Sequence, residues 1–297
     1  MKQLLLLTLL GLALWRCEDP VTLDSRFVGP ELVVEAWINN ASEPQTILLT
    51  ESQDYYANRL PTPVTDAQVV ICETENQQPT SNCFLFIHQD SGRYVWTPGP
   101  GETIGDVGTE YGLGIQRGDK QYASFSTMNR TAMVDSISFQ FEEASLGLEE
   151  GLYAQLYARD QVGQGDAYLI RSTINDTLLI RPFELILAYD ATFSPGNDAD
   201  GITFIFPIRF GINKLDENGA PIPLVSGDKV EAEVISLSQE AYLFLRIVQE
   251  QINNGGSGLF DRPVANSPGN VIDLETGETV LGFFNVGAVA RAERTVE

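Results

Sequence analysis

The sequence predicts a mainly β protein: an N-terminal immunoglobulin-like β-sandwich, then a second β-sandwich-like domain carrying one inserted α-helix. Three observations predict it. Short apolar segments recur along the chain with alternating, β-branched or aromatic residues. Turn chemistry such as Pro98-Gly-Pro-Gly101 and Asn218-Gly219 separates them. Only one segment has a helical period. The chain has 297 residues, 43% of them hydrophobic and 20% charged, enough to bury a sizeable core rather than stay disordered.

In the first half, strand-like segments run over Leu32–Ile38, Thr46–Thr50, Gln68–Ile71, Phe84–His88, Tyr94–Thr97, Tyr111–Ile115 and Gln121–Thr127. Seven short strands at regular spacing suggest the immunoglobulin-like sandwich. The second series covers Ser136–Phe141, Tyr153–Asp160, Asp166–Ser172, Phe183–Tyr189, Thr203–Phe210, Val230–Leu237 and Val280–Ala290. Between the last two, Ser238–Asn253 places Tyr242, Leu245, Val248 and Ile252 three to four residues apart. That spacing is one face of a helix, with Ser238 as its cap and the glycines after Asn253 as its stop. The expected division is a leader over 1–16, a tether over 17–30, a first sandwich over 31–130 and a second β domain over 131–297.

The leader rests on Lys2, the apolar run Leu4–Trp15 and Cys17 directly after it. This is a secretory pattern, too short for a membrane span of ~20 residues. Cys17 stands where a bacterial lipoprotein carries its lipid, although Arg16 is unusual before it; the alternative is an ordinary cleaved leader beside a stray cysteine. A lipid there would tether the chain to a membrane without a spanning helix. Glu18 and Asp19 add a short acidic signature like that of surface-exported lipoproteins of Bacteroidota, which favours the cell surface over the periplasmic face.

Charge excludes one class of function. Eighteen basic residues stand against 41 acidic ones, a net charge of -23, which argues strongly against binding a nucleic-acid backbone, since that needs a basic face. Histidine chemistry is equally thin. His88 is the single histidine, no Gly-x-Ser-x-Gly elbow accompanies it, and it reads as a structural or surface residue. Glu142-Glu143 and Glu149-Glu150 could supply a carboxylate pair but read as a solvated face. No catalytic residue, metal ligand or cofactor is assigned.

Cys72 and Cys83 flank the polar segment Glu73–Asn82, which contains Pro79 and reads as a loop between two strands. In an oxidising compartment the pair predicts a disulfide at the base of that loop, the alternative being two buried thiols. Asn197-Asp-Ala-Asp-Gly201 resembles part of a calcium loop, with Asp190, Asp198 and Asp200 as oxygen donors, but it lacks the closing glutamate and reads first as a polar turn. Leu215–Gly219 is a weaker version of the same pattern, and Arg117-Gly-Asp119 reads as a hairpin turn. Asp135-Ser136-Ile137 and Asp176-Thr177-Leu178 fit the Asp-Ser/Thr-apolar triplets that Bacteroidota O-glycosylate, Thr177 being the better candidate. Tyr55, Tyr56, Trp96, Tyr111 and Phe260 lie near expected loops, and Leu259 and Phe260, between glycines and Pro263, mark a possible partner-facing loop.

Several of these segments together resemble a known family. Leu32-Val-Val-Glu-Ala-Trp-Ile38, Pro63-Val-Thr-Asp-Ala-Gln-Val69, Tyr111-Gly-Leu, Val234-Ile-Ser-Leu-Ser-Gln-Glu-Ala-Tyr242, Gly258-Leu-Phe-Asp-Arg-Pro263 and Gly282-Phe-Phe284 are similar to the domain-of-unknown-function 4249 family, over about residues 17–295. The resemblance implies a Bacteroidota lipoprotein of the outer membrane. It also implies a non-enzymatic role as accessory or ligand-binding partner of a TonB-dependent outer-membrane receptor, and it brings no catalytic residues with it. The alternative reading is a free-standing cell-surface module that binds glycans or proteins.

Overall fold

A computed structural model describes residues 29–54, 57–181, 183–192, 199–206, 208–253 and 267–297. The chain is mainly β with one helix among those residues. All seven strands expected in the first half form. They are β1 (Leu32–Asn39), β2 (Gln45–Glu51), β4 (Ala67–Glu75), β5 (Gln78–Asp90), β6 (Arg93–Trp96), β7 (Glu110–Arg117) and β8 (Lys120–Thr127), with a two-residue β3 (Thr62–Pro63) beside β2. They form the first sandwich, and β5 joins its two layers. Residues 78–86 of β5 pair with β4 in one layer, and residues 87–90 pair with β6 in the other. Phe84, Phe86, Tyr94, Tyr111, Ile47 and Leu49 fill the space between the layers.

The polar segment 73–82 is not a loop. β4 and β5 run to Glu75 and from Gln78, leaving only Asn76 and Gln77 to turn, both at positive φ. A two-residue turn with two left-handed residues matches the twist of the strands it joins, so the hairpin extends far past the cysteines. Pro79 fits inside β5 because the register shifts between Cys72 and Thr74.

The second sandwich sets a hairpin of β9 (Met133–Glu142) and β10 (Gly151–Arg159) against a sheet of β11 (Ala167–Ile174), β12 (Thr177–Leu178), β13 (Ile186–Tyr189), β14 (Lys229–Leu237) and β17 (Val289–Thr295). Ala154, Leu156, Tyr168, Ile170 and Val234 lie in its core. Thr203–Phe210 was expected as a strand and is not one. Thr203 makes an isolated bridge to Arg159, Phe204 N–H donates to the Ala158 carbonyl at 2.9 Å, and Leu156 N–H donates to the Arg209 carbonyl at 2.8 Å. The segment thus lies along β10 and buries Phe204 and Ile208 without a continuous ladder.

The chain's end departs most from the sequence reading. Val280–Ala290 was one expected strand; it is two, in different sandwiches. β16 (Leu281–Gly287) pairs in parallel with β1 from Val33↔Leu281 to Asn39↔Gly287. After Ala288 the chain enters β17, antiparallel to β14. The two-residue β15 (Ile272–Asp273) also returns to the first sandwich, beside β8. The division at 130/131 therefore separates the strands up to β14, whereas residues 272–287 belong with the first half. Sequence spacing hides this because a returning strand reads as the next one in order.

The helix α1 (Gln239–Asn253) forms where the period places it, and Ser238 caps it: the Ala241 N–H donates to Ser238 Oγ at 3.0 Å. Its inner face seats Ala241 and Tyr242 on the outer side of the second sheet, against Leu169, Leu187 and Leu237. Phe244 reaches across to the first sandwich. There its ring meets Phe283 at 5.0 Å and Trp37 at 6.2 Å, and Trp37 stacks on Phe283 at 5.9 Å. No helix among the described residues is long and apolar enough to cross a membrane.

Candidate functional site

The two sandwiches meet along a buried polar seam, and a cleft opens beside it. The seam is built by strand ends. Ser236 of β14 donates its hydroxyl to the Asn129 carbonyl at 2.6 Å and accepts the Ala288 N–H at 2.8 Å. Asn129 donates to the Leu237 carbonyl at 3.0 Å. Asn285 of β16 donates to the Ser236 carbonyl at 3.2 Å and accepts the Ser238 N–H at 3.0 Å. Each buried amide and hydroxyl is thereby paired, which such groups require once water is removed. Gly287 permits the approach: a Cβ there would lie 2.1 Å from the Ser236 carbonyl oxygen. On the outside, Arg291 of β17 joins Glu43 of the first sandwich and Glu233 of β14, and Arg171 adds a 2.6 Å pair to Glu233. The hydrogen bond from Arg291 holds the Glu43 carboxyl below its ordinary range.

The cleft has a volume of about 540 Å³ and takes residues from both halves, including Phe125, Thr127, Gln164, Asp166, Ser238 and Glu240. Its floor is the end of β8 and the start of α1, and its wall is the loop 160–166. Carboxylates fix that loop. Asp166 takes a forked pair from Arg130, at 3.0 Å from Nε and 2.6 Å from Nη2, while Arg130 also donates to the Val162 and Gly163 carbonyls. Asp190 accepts the Gly165 and Asp166 N–H groups at 2.8 and 3.0 Å. Asp160 accepts the Tyr168 hydroxyl at 2.5 Å and the Gly201 N–H at 3.0 Å. Burial raises the Asp160 carboxyl above its ordinary value, the Tyr168 and Gly201 hydrogen bonds opposing it. Burial also pushes the Tyr168 hydroxyl up, and its bond to Asp160 adds to that.

The expected calcium turn is thus placed in part. Asp190 and Asp200 spend their carboxylates on the loop, Asp200 accepting the Gly163 N–H at 2.8 Å, and Asp198 lies outside the described residues. Among the described residues no three His, Cys, Asp or Glu side chains gather as a metal site. Asp216 in the second such pattern accepts the Asn218 and Ala220 N–H groups at 2.8 Å each, and the Ala220 bond foremost lowers its carboxyl. It closes a turn.

Cys72 and Cys83 are bonded as a disulfide between directly opposed residues of β4 and β5. Ser136 in β9 and Thr177 in β12 are both exposed. His88 packs its ring 5.2 Å from that of Tyr94, inside the first sandwich's bend. The four glutamates 142, 143, 149 and 150 ring the β9–β10 turn, away from the cleft. Arg117 ends β7 in ion pairs with Glu51 at 2.8 Å and Asp66 at 2.9 Å. Cys17, Tyr55, Tyr56, Leu259 and Phe260 lie outside the described residues.

Sequence reasoning missed the cleft, because its residues come from five separated segments. The signal available was the polar cluster Ser236-Leu-Ser-Gln-Glu240 directly ahead of the helix. Among the described residues, Thr127, Gln164 and Glu240 keep free side-chain polar atoms beside Phe125, whereas the hydroxyls of Ser126 and Ser238 accept backbone N–H groups at 3.0 Å. Among the described residues no basic side chain donates to or accepts from either serine hydroxyl. The arrangement suits holding a ligand by hydrogen bonds and a ring contact.

Residues 18–293 match the family described as Domain of unknown function (DUF4249). The match spans nearly the whole chain, so the protein belongs to that family. No curated protein matches the chain.

Proposed function

We propose that this chain is a non-enzymatic, lipid-anchored outer-membrane protein that serves as accessory or ligand-binding partner of a TonB-dependent outer-membrane receptor. The observation that carries the reading is the chain's start. Lys2, an apolar run and Cys17 come first, and the family match begins one residue later, at Glu18. The lipid would sit on Cys17 and hold the chain at the cell surface.

The fold agrees with such a tether. β1 begins at Leu32 beside the β7–β8 turn, at the end of the first sandwich, and runs from there toward the second. The cleft lies at the other end of β8, at the seam. A chain anchored at Cys17 would attach through the end of the first sandwich away from the cleft. A cleft built from both halves, with free amide, hydroxyl and carboxylate groups beside one aromatic ring, is suited to ligand contact.

The test is co-purification from the native host. A C-terminally tagged chain, solubilised in mild detergent, should bring down a TonB-dependent receptor in stoichiometric amount and carry lipid on Cys17. Recovery of the chain without a receptor, with or without lipid, would defeat the receptor reading.

A further inference from the structure

We infer that the outer face of the first sandwich's β15-β8-β7-β4-β5 layer is a binding site for a neutral, hydroxyl-rich ligand, the chemistry of an uncharged oligosaccharide. This site adjoins the cleft at Phe125 but is lined by other polar groups, and it does not depend on the receptor reading.

The face follows from register. Outward residues alternate with core residues along each strand, so paired outward residues form rows across the layer. One row is Ile272, Ala123, Gly114, Val70 and Leu85, read through four successive pairings. The row toward the cleft is Phe125, Gly112 and the Cys72–Cys83 disulfide. The row on the other side is Gln121, Gln116 and Gln68, flanked by Leu274, whose N–H donates to the Gln121 carbonyl at 2.9 Å. The chain carries 41 acidic residues, yet none lies in these three rows. Leu85 and Leu274 are each 57% exposed, and with Ile272 and Phe125 in these rows they form one apolar face rather than scattered residues.

Glycine at 112 and 114 removes two side chains from the central strand and lowers the floor. A Cβ at Gly112 would meet Thr74 at 2.9 Å and the Phe125 ring at 3.2 Å. The result is a shallow trough of about 340 Å³ lined by the three glutamines, Val70, Leu85 and Leu274.

Size and charge select the occupant. Five strands and three rows cover roughly 500 Å², from strand spacing and rise. A stable protein interface takes about 800 Å² from each partner, so a second copy or a protein partner would be poorly held. Two copies would also each bring a charge of -23. The trough's volume lies within the range of small-ligand sites, about 300–1,000 Å³. The absence of charge disfavours phosphates, carboxylates and amines. Glutamine amides both donate and accept, as hydroxyl groups do. Among the described residues the side chains of Gln68 and Gln121 make no hydrogen bond, while Gln116 donates to the Gly118 carbonyl at 3.3 Å. The three amides stand on adjacent strands, about 4.8 Å apart, close to the length of one sugar ring. A chain of rings lying across the strands would present its hydroxyls to successive amides and its C–H faces to Val70, Ala123 and Leu274.

The test is binding of the full chain, purified in mild detergent, to an array of neutral oligosaccharides, followed by saturation-transfer NMR on the best of them. We expect binding that falls at least tenfold in Gln68→Ala/Gln121→Ala and in Val70→Glu, with the thermal midpoint of the glutamine variant unchanged. Binding lost instead in Glu240→Ala, which alters only the cleft, would overturn the assignment. So would binding confined to charged glycans, no binding on the array, or a protein partner released by Val70→Glu. The receptor pull-down can fail while the array succeeds, and the reverse, so the two readings are tested separately.

Discussion

The two sandwiches are held together by different means. The first is nearly all ladder. Every expected strand forms, and an apolar core of large side chains lies between the layers. The second has a comparable core but closes it with irregular chain, whose backbone is fixed by buried carboxylates such as Asp160 and Asp190. A ladder leaves little for side chains to satisfy. An irregular cover exposes N–H groups that must find acceptors, and aspartate supplies them. The cleft lies at the border of that irregular side with the first sandwich.

The comparison can be broken in three places, in falling order of effect. Gly287→Val pushes a branched side chain into the Ser236 carbonyl and should cost about 3 kcal/mol, at the upper end for overpacking. Denaturant titration of the variant should show a lower midpoint for both sandwiches together, because Gly287 ends β16 of the first sandwich directly against Ser236 of β14 in the second. Removing the disulfide in Cys72→Ser/Cys83→Ser lifts a cross-link over a short span of the unfolded chain and should cost about 2–3 kcal/mol by chain entropy. That loss should appear in thermal melts without changing the cleft, which is read by backbone NMR shifts of residues 125–130 and 236–240.

The smallest effect is on the joint. Glu43 is held ionised by Arg291, so its folded pKa is below its unfolded one. Its stabilisation is fully present above the ordinary glutamate value, near 4.3, and is lost as pH falls through the lower folded value. Both side chains are about a third exposed, and screening keeps the contribution below about 1 kcal/mol. Glu43→Gln should therefore flatten the acid limb of the stability–pH curve slightly and leave the neutral region nearly unchanged.

Much of this fold was legible in the sequence because its signals are local. Alternation located the strands of the first half, and Ser238 with the three-to-four spacing located α1. The disulfide followed from two cysteines on neighbouring strands. What was not legible depends on distant partners. Nothing in Leu281–Thr295 states that the chain changes sandwich at Ala288, since both parts alternate in the same way. The hairpin turn at Asn76-Gln77 was hidden by Pro79, which suggests loop unless the strand's bulge is known. Thr203–Phe210 has strand composition, but along β10 it forms a single isolated bridge, Thr203 to Arg159. The cleft was hidden for the same reason as the seam: its residues meet only after β16 has returned to β1.

The central claim is that the shared β16–β17 strand pair and α1 make the two sandwiches one body, so that the cleft between them is a fixed site. Scanning calorimetry of the full chain tests it most directly. The account predicts a single transition whose calorimetric and van't Hoff enthalpies agree. Two resolved transitions, with the Gly287→Val variant lowering only one of them, would contradict it.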